Sequence, residues 1–200
     1  HPAGDELPLS SLSMDELAEH SAAAVAVITR TPEDYRPQLT RQEQDMLRTI
    51  CAAFPRTVLV LNTPGYMELG EFAQLLPAIV FMGVAGQEGG HALTDLLTGR
   101  VMPSGRLAHS WPETLAEFDE ATQALDCFNG YRWFDSFDRP VLYPFGYGLG
   151  YGKSELVSVS MGLDGCDVVV TAEVLNSGEK YPVQEVVQVY YSNPDSDQLP

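Results

Sequence analysis

Positive charge is what this sequence has least of: 11 Lys and Arg stand against 28 Asp and Glu, a net charge of −17. A surface field of that sign repels phosphate backbones and anionic headgroups, which argues against nucleic acid or a membrane as partner. Every long apolar stretch is broken by Pro or Gly well short of the ~18 residues that mark a membrane-spanning helix. Cysteine is sparse as well: Cys51, Cys127 and Cys166 form an odd, widely spaced set with no C-x-x-C pair. Neither a disulfide framework nor a structural zinc is expected from them. The histidines His1, His20, His91 and His109 are scattered in the same way, so no metal or cofactor is called for. The opening "HPAGDELPLS" lacks the basic start and apolar stretch of a signal peptide, and also an initiator Met, which reads as a cut or processed chain.

What is present fits a soluble globular protein, with 44% apolar and 10% aromatic residues over 200 positions. "SMDELAEHSAAA" reads as a helix with Ser13 as N-cap and Glu16 in the reciprocal position of a capping box. It runs into "AVAVIT" (24–29), a short apolar run suited to a strand buried on both faces. "TRQEQDMLRTICAAF" repeats the helical pattern with Thr40 as cap, Glu43 three places on, and Met46, Leu47, Ile50 and Phe54 at helical spacing. "TVLVLN" (57–62) and "AIVFMG" (78–83) are further strands, separated by the turn "TPGY" and a short helix in "YMELGEFAQLLP". "GQEGGHALTDLLTG" makes another helix, closed by Gly99 as a left-handed C′ residue. Strand and helix alternate, which predicts an α/β fold: a mainly parallel sheet with helices on both faces.

Past residue 100 the texture becomes rich in Gly, Pro and aromatics and reads as long ordered loop; "YPFGYGLGYG" looks like a rigid connecting segment in which Gly146, Gly148 and Gly150 relieve the backbone. From Ser154 the segments "VSVSM", "DVVVTAEVL" and "QEVVQVYY" read as strands, with "NSGE" as a turn between the last two. They are expected to open an all-β sandwich, which needs about seven strands.

The glycines of "VFMGVAGQEGGHALTDLLTG" could in principle cradle a phosphate. Gly83, Gly86 and Gly89 are three apart, however, matching neither G-x-G-x-x-G nor G-x-x-x-x-G-K-[ST], and the stretch holds no Lys. Glu88 in the first helical turn would oppose an anion. The simpler reading is that Gly86 permits a tight strand-to-helix turn while Gln87 or Glu88 meets the orphan amides. His109 stands in no spacing that would make it a catalytic base.

Taken together, "TVLVLNTPGYMEL", "AIVFMGVAGQEGGHALTDLLTGRVMPSGRLAHSWPET", "GYRWFD" and "LYPFGYGLGYG" resemble the C-terminal α/β-sandwich domain of glycoside hydrolase family 3. "VLNSGEKYPVQEVVQVYYSNP" is similar to the start of the fibronectin type III-like domain that many members carry. The resemblance implies residues 1–152 as the α/β-sandwich domain, incomplete at its N-terminus, and 153–200 as the truncated opening of the fibronectin-like domain. It departs from the family pattern at Met102, where Asn is usual, at Thr63-Pro64 for S-G, and at Gly150 for Ser.

The family hydrolyses terminal β-linked sugars, usually with retention and without a cofactor, and its Asp nucleophile lies in a separate (β/α)8 barrel absent from these 200 residues. The resemblance therefore implies at most half of a catalytic pair. In many members the acid/base is the Glu of an S-G-E-G-x-D-R loop, and "TRTPEDYRP" is the matching place. Glu33 stands opposite that Glu, with Asp34 as the alternative proton donor; Tyr35 stands opposite the aromatic and Arg36 opposite the Arg, as sugar-binding candidates. The loop is one residue shorter than the pattern, Pro32 replaces a Gly, and Asp34 takes the place of the second. Trp133 is a further candidate sugar platform, although Trp133 and Phe134 packing on the core, with Arg132 on Asp135 or a backbone carbonyl, is the commoner outcome for such a cluster. The implied partners are a β-linked oligosaccharide or aryl glycoside and the barrel domain. A non-catalytic sugar-binding or domain-interaction module of the same fold is the alternative function. The free cysteines point to a reducing cytoplasm, yet acidic glycosidases are also secreted.

Overall fold

Three strands, β1 (Ala24–Thr29), β2 (Thr57–Asn62) and β3 (Ala78–Phe81), form a parallel sheet in the order β1-β2-β3. The structure is a computed structural model that describes residues 14–123, 127–178 and 180–191. It divides after Gly86 into two units. The sheet belongs to the first. Its register runs from Ala24 opposite Thr57 to Thr29 opposite Asn62, and from Val58 opposite Ala78 to Leu61 opposite Phe81. β2 is the central strand, and Leu59, Val60 and Leu61 are wholly buried, as a continuous apolar run between two neighbours requires. β1 differs from expectation. Ala26 and Ile28 are buried, but Val25 and Val27 are 49% and 44% exposed. The period-two alternation of a strand puts those valines on one face, and that face is only half covered among the described residues.

Helix α1 (Met14–His20) precedes β1; the expected cap at Ser13 lies outside the described residues. Helix α2 (Arg41–Ala53) follows β1 and starts as its sequence predicts. Thr40 Oγ1 accepts from the Glu43 N–H at 3.2 Å while Glu43 Oε2 accepts from the Thr40 N–H at 2.8 Å, a complete capping box. Its apolar stripe is buried through Leu47 and Phe54. Helix α3 shrinks to Phe72–Leu75, because Gly70 at φ 54° turns the chain left-handed before it. The left-handed residue after β3 is likewise Gly83, at φ 65°, and not Gly86.

In the second unit, α4 (Gly89–Leu97) ends as expected on Gly99 at φ 74°. Glu88 makes no side-chain cap at its start; its carboxylate instead meets His91 Nδ1 at 2.6 Å. Two further helices, α5 (Leu115–Gln123) and α6 (Tyr131–Ser136), occupy the stretch read as loop. α5 has its own start signal, Thr114-x-x-Glu117: the Glu117 N–H donates to Thr114 Oγ1 at 3.4 Å and the Thr114 N–H to Glu117 Oε2 at 3.3 Å. The remaining loop is tied by backbone bonds, Trp111 N–H to Tyr143 O at 2.8 Å and Leu107 N–H to Tyr147 O at 2.9 Å. Gly148 is obligatory there, since a Cβ would lie 2.4 Å from Gly105 O.

Strands β4 (Ser154–Asp164) and β5 (Asp167–Asn176) pair antiparallel around Gly165, at φ 63°. One face of this hairpin carries Val159, Met161, Leu163, Val168, Val170 and Ala172; the other holds Ser158, Ser160, Thr171 and Glu173, with Ser158 Oγ donating to Glu173 Oε2 at 3.0 Å. Met161 and Leu163 are 77% and 79% exposed. The third expected strand, 184–191, joins no ladder among the described residues. Glu185 is tied instead to Arg106 at 2.6 Å and to Ser154.

Near Trp111 the indole N–H donates to His109 Nε2 at 3.0 Å. Indole is a donor only, so this nitrogen carries no proton and Nδ1 does. Burial pushes the His109 pKa below the ordinary histidine range.

Two outcomes follow from these packing arrangements. Leu59→Ala, in the centre of β2, is expected to cost about 3 kcal/mol by urea unfolding, whereas Val27→Ala on the half-covered face should stay within about 0.5 kcal/mol. Because the unfolded chain takes up the His109 proton first, wild-type stability should hold above about pH 6.5 and fall below it. A His109→Gln variant, followed by urea midpoints from pH 7.5 to 5, should lack that share of the decline.

Candidate active site

All three parallel strands end on one edge of the sheet, and open α/β sheets place ligands outside the carboxyl ends of their strands. Three loops leave that edge in the first unit: 30–38 after β1, 63–70 after β2 and 82–86 after β3. Strand-end polar groups join them. The Arg30 N–H donates to Asn62 O at 3.0 Å, the Met82 N–H to Leu61 O at 2.9 Å, and the Ala85 N–H to Asn62 Oδ1 at 3.3 Å. Buried Thr63 turns its hydroxyl onto Gly65 O at 3.0 Å.

Four of the five candidate residues sit on the loop after β1. Pro32–Asp34 form a single 3-10 turn, started by Thr31, whose Oγ1 accepts from the Asp34 N–H at 3.3 Å. Pro at the first helical position suits that turn, since its fixed φ is already helical and its missing N–H is not needed there. Glu33 points into solvent, and among the described residues its carboxylate has no hydrogen bond or ion pair. Asp34 is engaged: its Oδ1 lies 3.3 Å from Arg36 Nε, with both side chains about three-quarters exposed (75% and 73%). An ion pair so exposed contributes little to stability. Tyr35 is half-buried, and its hydroxyl donates to Tyr66 O.

The loop is closed at its base by a group that sequence reasoning missed. The Arg30 guanidinium forks onto Glu43, Nη1 to Oε1 at 2.8 Å and Nη2 to Oε2 at 2.7 Å, with both side chains only 10% exposed. Burial alone would raise the Glu43 pKa, but the Arg30 hydrogen bonds and charge and the Thr40 N–H outweigh it, leaving the carboxyl below its usual range. Glu43 was legible only as a capping residue. No periodicity links it to an arginine thirteen positions earlier, and the one available signal was a charged residue directly after an apolar strand.

Trp133 lies in the second unit, on α6. Its ring meets Phe134 edge-on at 5.0 Å and Phe137 at 5.7 Å, with the Arg139 guanidinium 5.8 Å from its centroid. Phe134 is buried, and Arg132 donates to Cys127 O at 3.2 Å. A surface groove of about 400 Å³ in the first unit is lined by Gln38, Leu39, Gln44 and residues 68–72, and does not include Glu33. Among the described residues no cluster of His, Cys, Asp and Glu could hold a metal ion, and no helix is long and apolar enough to cross a membrane.

Comparison with known proteins matches this architecture. The glycosyl hydrolase family 3 C-terminal domain model matches residues 10–151. A β-glucosidase from Kluyveromyces marxianus is 34% identical over 164 residues, 77% of this chain and 19% of that protein. An exo-α-(1→6)-L-arabinopyranosidase from Bifidobacterium longum is 33% identical over 156 residues, 72% of this chain and 20% of its own length. Among solved structures, β-glucosidase 3B from Thermotoga neapolitana in complex with α-D-glucose superposes with a TM-score of 0.77 at 29% identity, over 87% of this chain and 28% of that one. The chain thus spans about a fifth of the length of these curated relatives. With the family model covering well over half of its residues, the chain belongs to glycosyl hydrolase family 3 and carries that family's C-terminal domain.

Proposed function

We propose that this chain is the part of a retaining β-glycosidase that delivers the general acid/base, Glu33, to a sugar held against an Asp nucleophile on a separate (β/α)8 barrel. The observation that carries the reading is an exposed carboxylate without a partner among the described residues, on a turn whose neighbours are tied down, at the carboxyl edge of a parallel sheet. Glu33 lies outside the groove described in its own unit, as befits an acid that works in a pocket completed by another domain. The names of the relatives, β-glucosidases foremost, support the reaction class. An arabinopyranosidase among them shows that the relatives do not all carry the same sugar in their names.

In the reaction the barrel carboxylate attacks the anomeric carbon while the Glu33 carboxylic acid, about 5.5 Å from it, protonates the departing glycosidic oxygen. The Glu33 carboxylate then takes a proton from the water that hydrolyses the glycosyl-enzyme and returns to its acid form. Asp34 is the weaker candidate because its carboxylate already faces Arg36. Arg36, Tyr35 and Trp133 remain candidates for sugar contacts, Tyr35 through its ring, since its hydroxyl is engaged by Tyr66. Residues 153–200 are read as the opening of a fibronectin type III-like domain, supported by a hairpin whose apolar face carries the exposed Met161 and Leu163.

In the intact enzyme, Glu33→Gln should lower kcat/KM on sugars with poor leaving groups about 10²–10⁴-fold and largely spare kcat/KM on activated aryl glycosides, whose leaving group needs no proton; kcat/KM reports formation of the glycosyl-enzyme, whereas its hydrolysis loses the base with either substrate. Asp34→Asn should change both substrates little. An equal loss of kcat/KM on both for Glu33→Gln would argue against Glu33 as the acid/base.

A further inference from the structure

Arg30 is the first residue after β1, and all five of its N–H groups are engaged. Nε donates to Arg36 O at 3.3 Å, Nη1 to Thr29 O at 3.0 Å and Glu43 Oε1 at 2.8 Å, and Nη2 to Gln38 O at 3.4 Å and Glu43 Oε2 at 2.7 Å. Three of those acceptors are peptide carbonyls, one at the end of β1 and two at the far side of the loop. One side chain therefore holds both feet of the turn that carries Glu33. Glu43 fastens the same guanidinium to the frame, since its Oε2 also accepts from the Thr40 N–H in the capping box of α2.

A second strut stands at the other side. The Tyr35 hydroxyl donates to Tyr66 O, and Gly65 leaves room for it: a Cβ there would sit 3.3 Å from Tyr35 Oη. The Glu68 N–H to Pro37 O bond at 2.7 Å and the Gln38–Glu68 side-chain bond at 2.6 Å continue this seam. Between the two struts the Glu33 side chain projects without a partner among the described residues.

We propose that Arg30 is a positioning residue, whose guanidinium fork, backed by Glu43, fixes the carbonyls on either side of the Pro32–Asp34 turn and so sets the direction from which the Glu33 carboxyl reaches its substrate. The proposal rests on the reading of Glu33 as the proton donor. Arginine is required because its planar fork presents five donors in fixed directions, whereas a lysine ammonium is a point charge with three. Misplacement of a reacting group by about 1 Å is enough to lower a rate about 10²-fold, which is the scale of effect the clamp exists to prevent.

The test uses Arg30→Lys, which keeps the charge beside Glu43 and loses the fork. Backbone ¹⁵N order parameters of Glu33, Asp34, Tyr35 and Arg36 in this chain should fall from about 0.85 to below about 0.6, while the amides of β2 keep their wild-type shifts. In the intact enzyme kcat/KM on a poor-leaving-group glycoside should drop about 10–100-fold, with kcat/KM on activated aryl glycosides much less affected. Order parameters that stay near the wild-type value, or an equal fall of kcat/KM on both substrates, would overturn the proposal. If Arg30→Lys disturbs the β2 shifts, Glu43→Gln is read by the same two criteria, since glutamine still accepts from the Thr40 N–H. Glu33→Gln run in parallel separates the two ideas: equal loss on both substrates refutes the acid/base reading, while the order parameters alone decide whether Arg30 holds the loop.

Discussion

The candidate site depends on a guanidinium taken out of water and held against a carboxylate that is itself part of a helix cap. Burying two charges carries a desolvation penalty that their attraction often only balances, so the Arg30–Glu43 pair is poor evidence for stability as such. Its value lies in geometry. The acceptors around Arg30 come from separate parts of the chain: carbonyls at the end of β1 and at two points of the following loop, and the carboxylate of Glu43 in the first turn of α2. An apolar pair of the same volume would fill the space without joining them. The capping box and the clamp share Glu43, so the start of the helix and the shape of the loop are one structure.

The parallel sheet supplies the platform on which that clamp is useful. Because all three strands point the same way, the loops after them emerge together, and Asn62 at the end of the central strand bonds to the chain after β1 and, through its side chain, to the chain after β3. The Glu33 carboxylate lies exposed on that edge, on a turn whose neighbours are hydrogen-bonded.

The second unit answers to a different constraint. Its aromatic segments are ordered by short helices and by backbone pairing between 107–111 and 142–147, with Trp111 buried and its indole satisfied by His109. The β4–β5 hairpin satisfies its own ladder, while Met161 and Leu163 on its apolar face are largely exposed.

Local signals in the amino-acid order determined much of the fold. The limits of β1 and β2, the capping box of Thr40 and Glu43, and the left-handed Gly99 all follow from neighbours within four positions, where steric and hydrogen-bonding rules act directly. The Thr114-x-x-Glu117 start of α5 is equally local, but it stands in a stretch whose Gly and Pro content reads as loop. Other features were decided only in three dimensions. Whether Val25 and Val27 are covered depends on what packs on their face, and whether residues 184–191 join a ladder depends on a partner strand. The motif likeness of "TRTPEDYRP" marked where the carboxylates lie, but it was the folded chain that paired Asp34 with Arg36, left Glu33 without a partner among the described residues, and brought Arg30 to Glu43. Those pairings join residues whose separation obeys no helical or strand period, so they exist only once the sheet and α2 have set the distances between them.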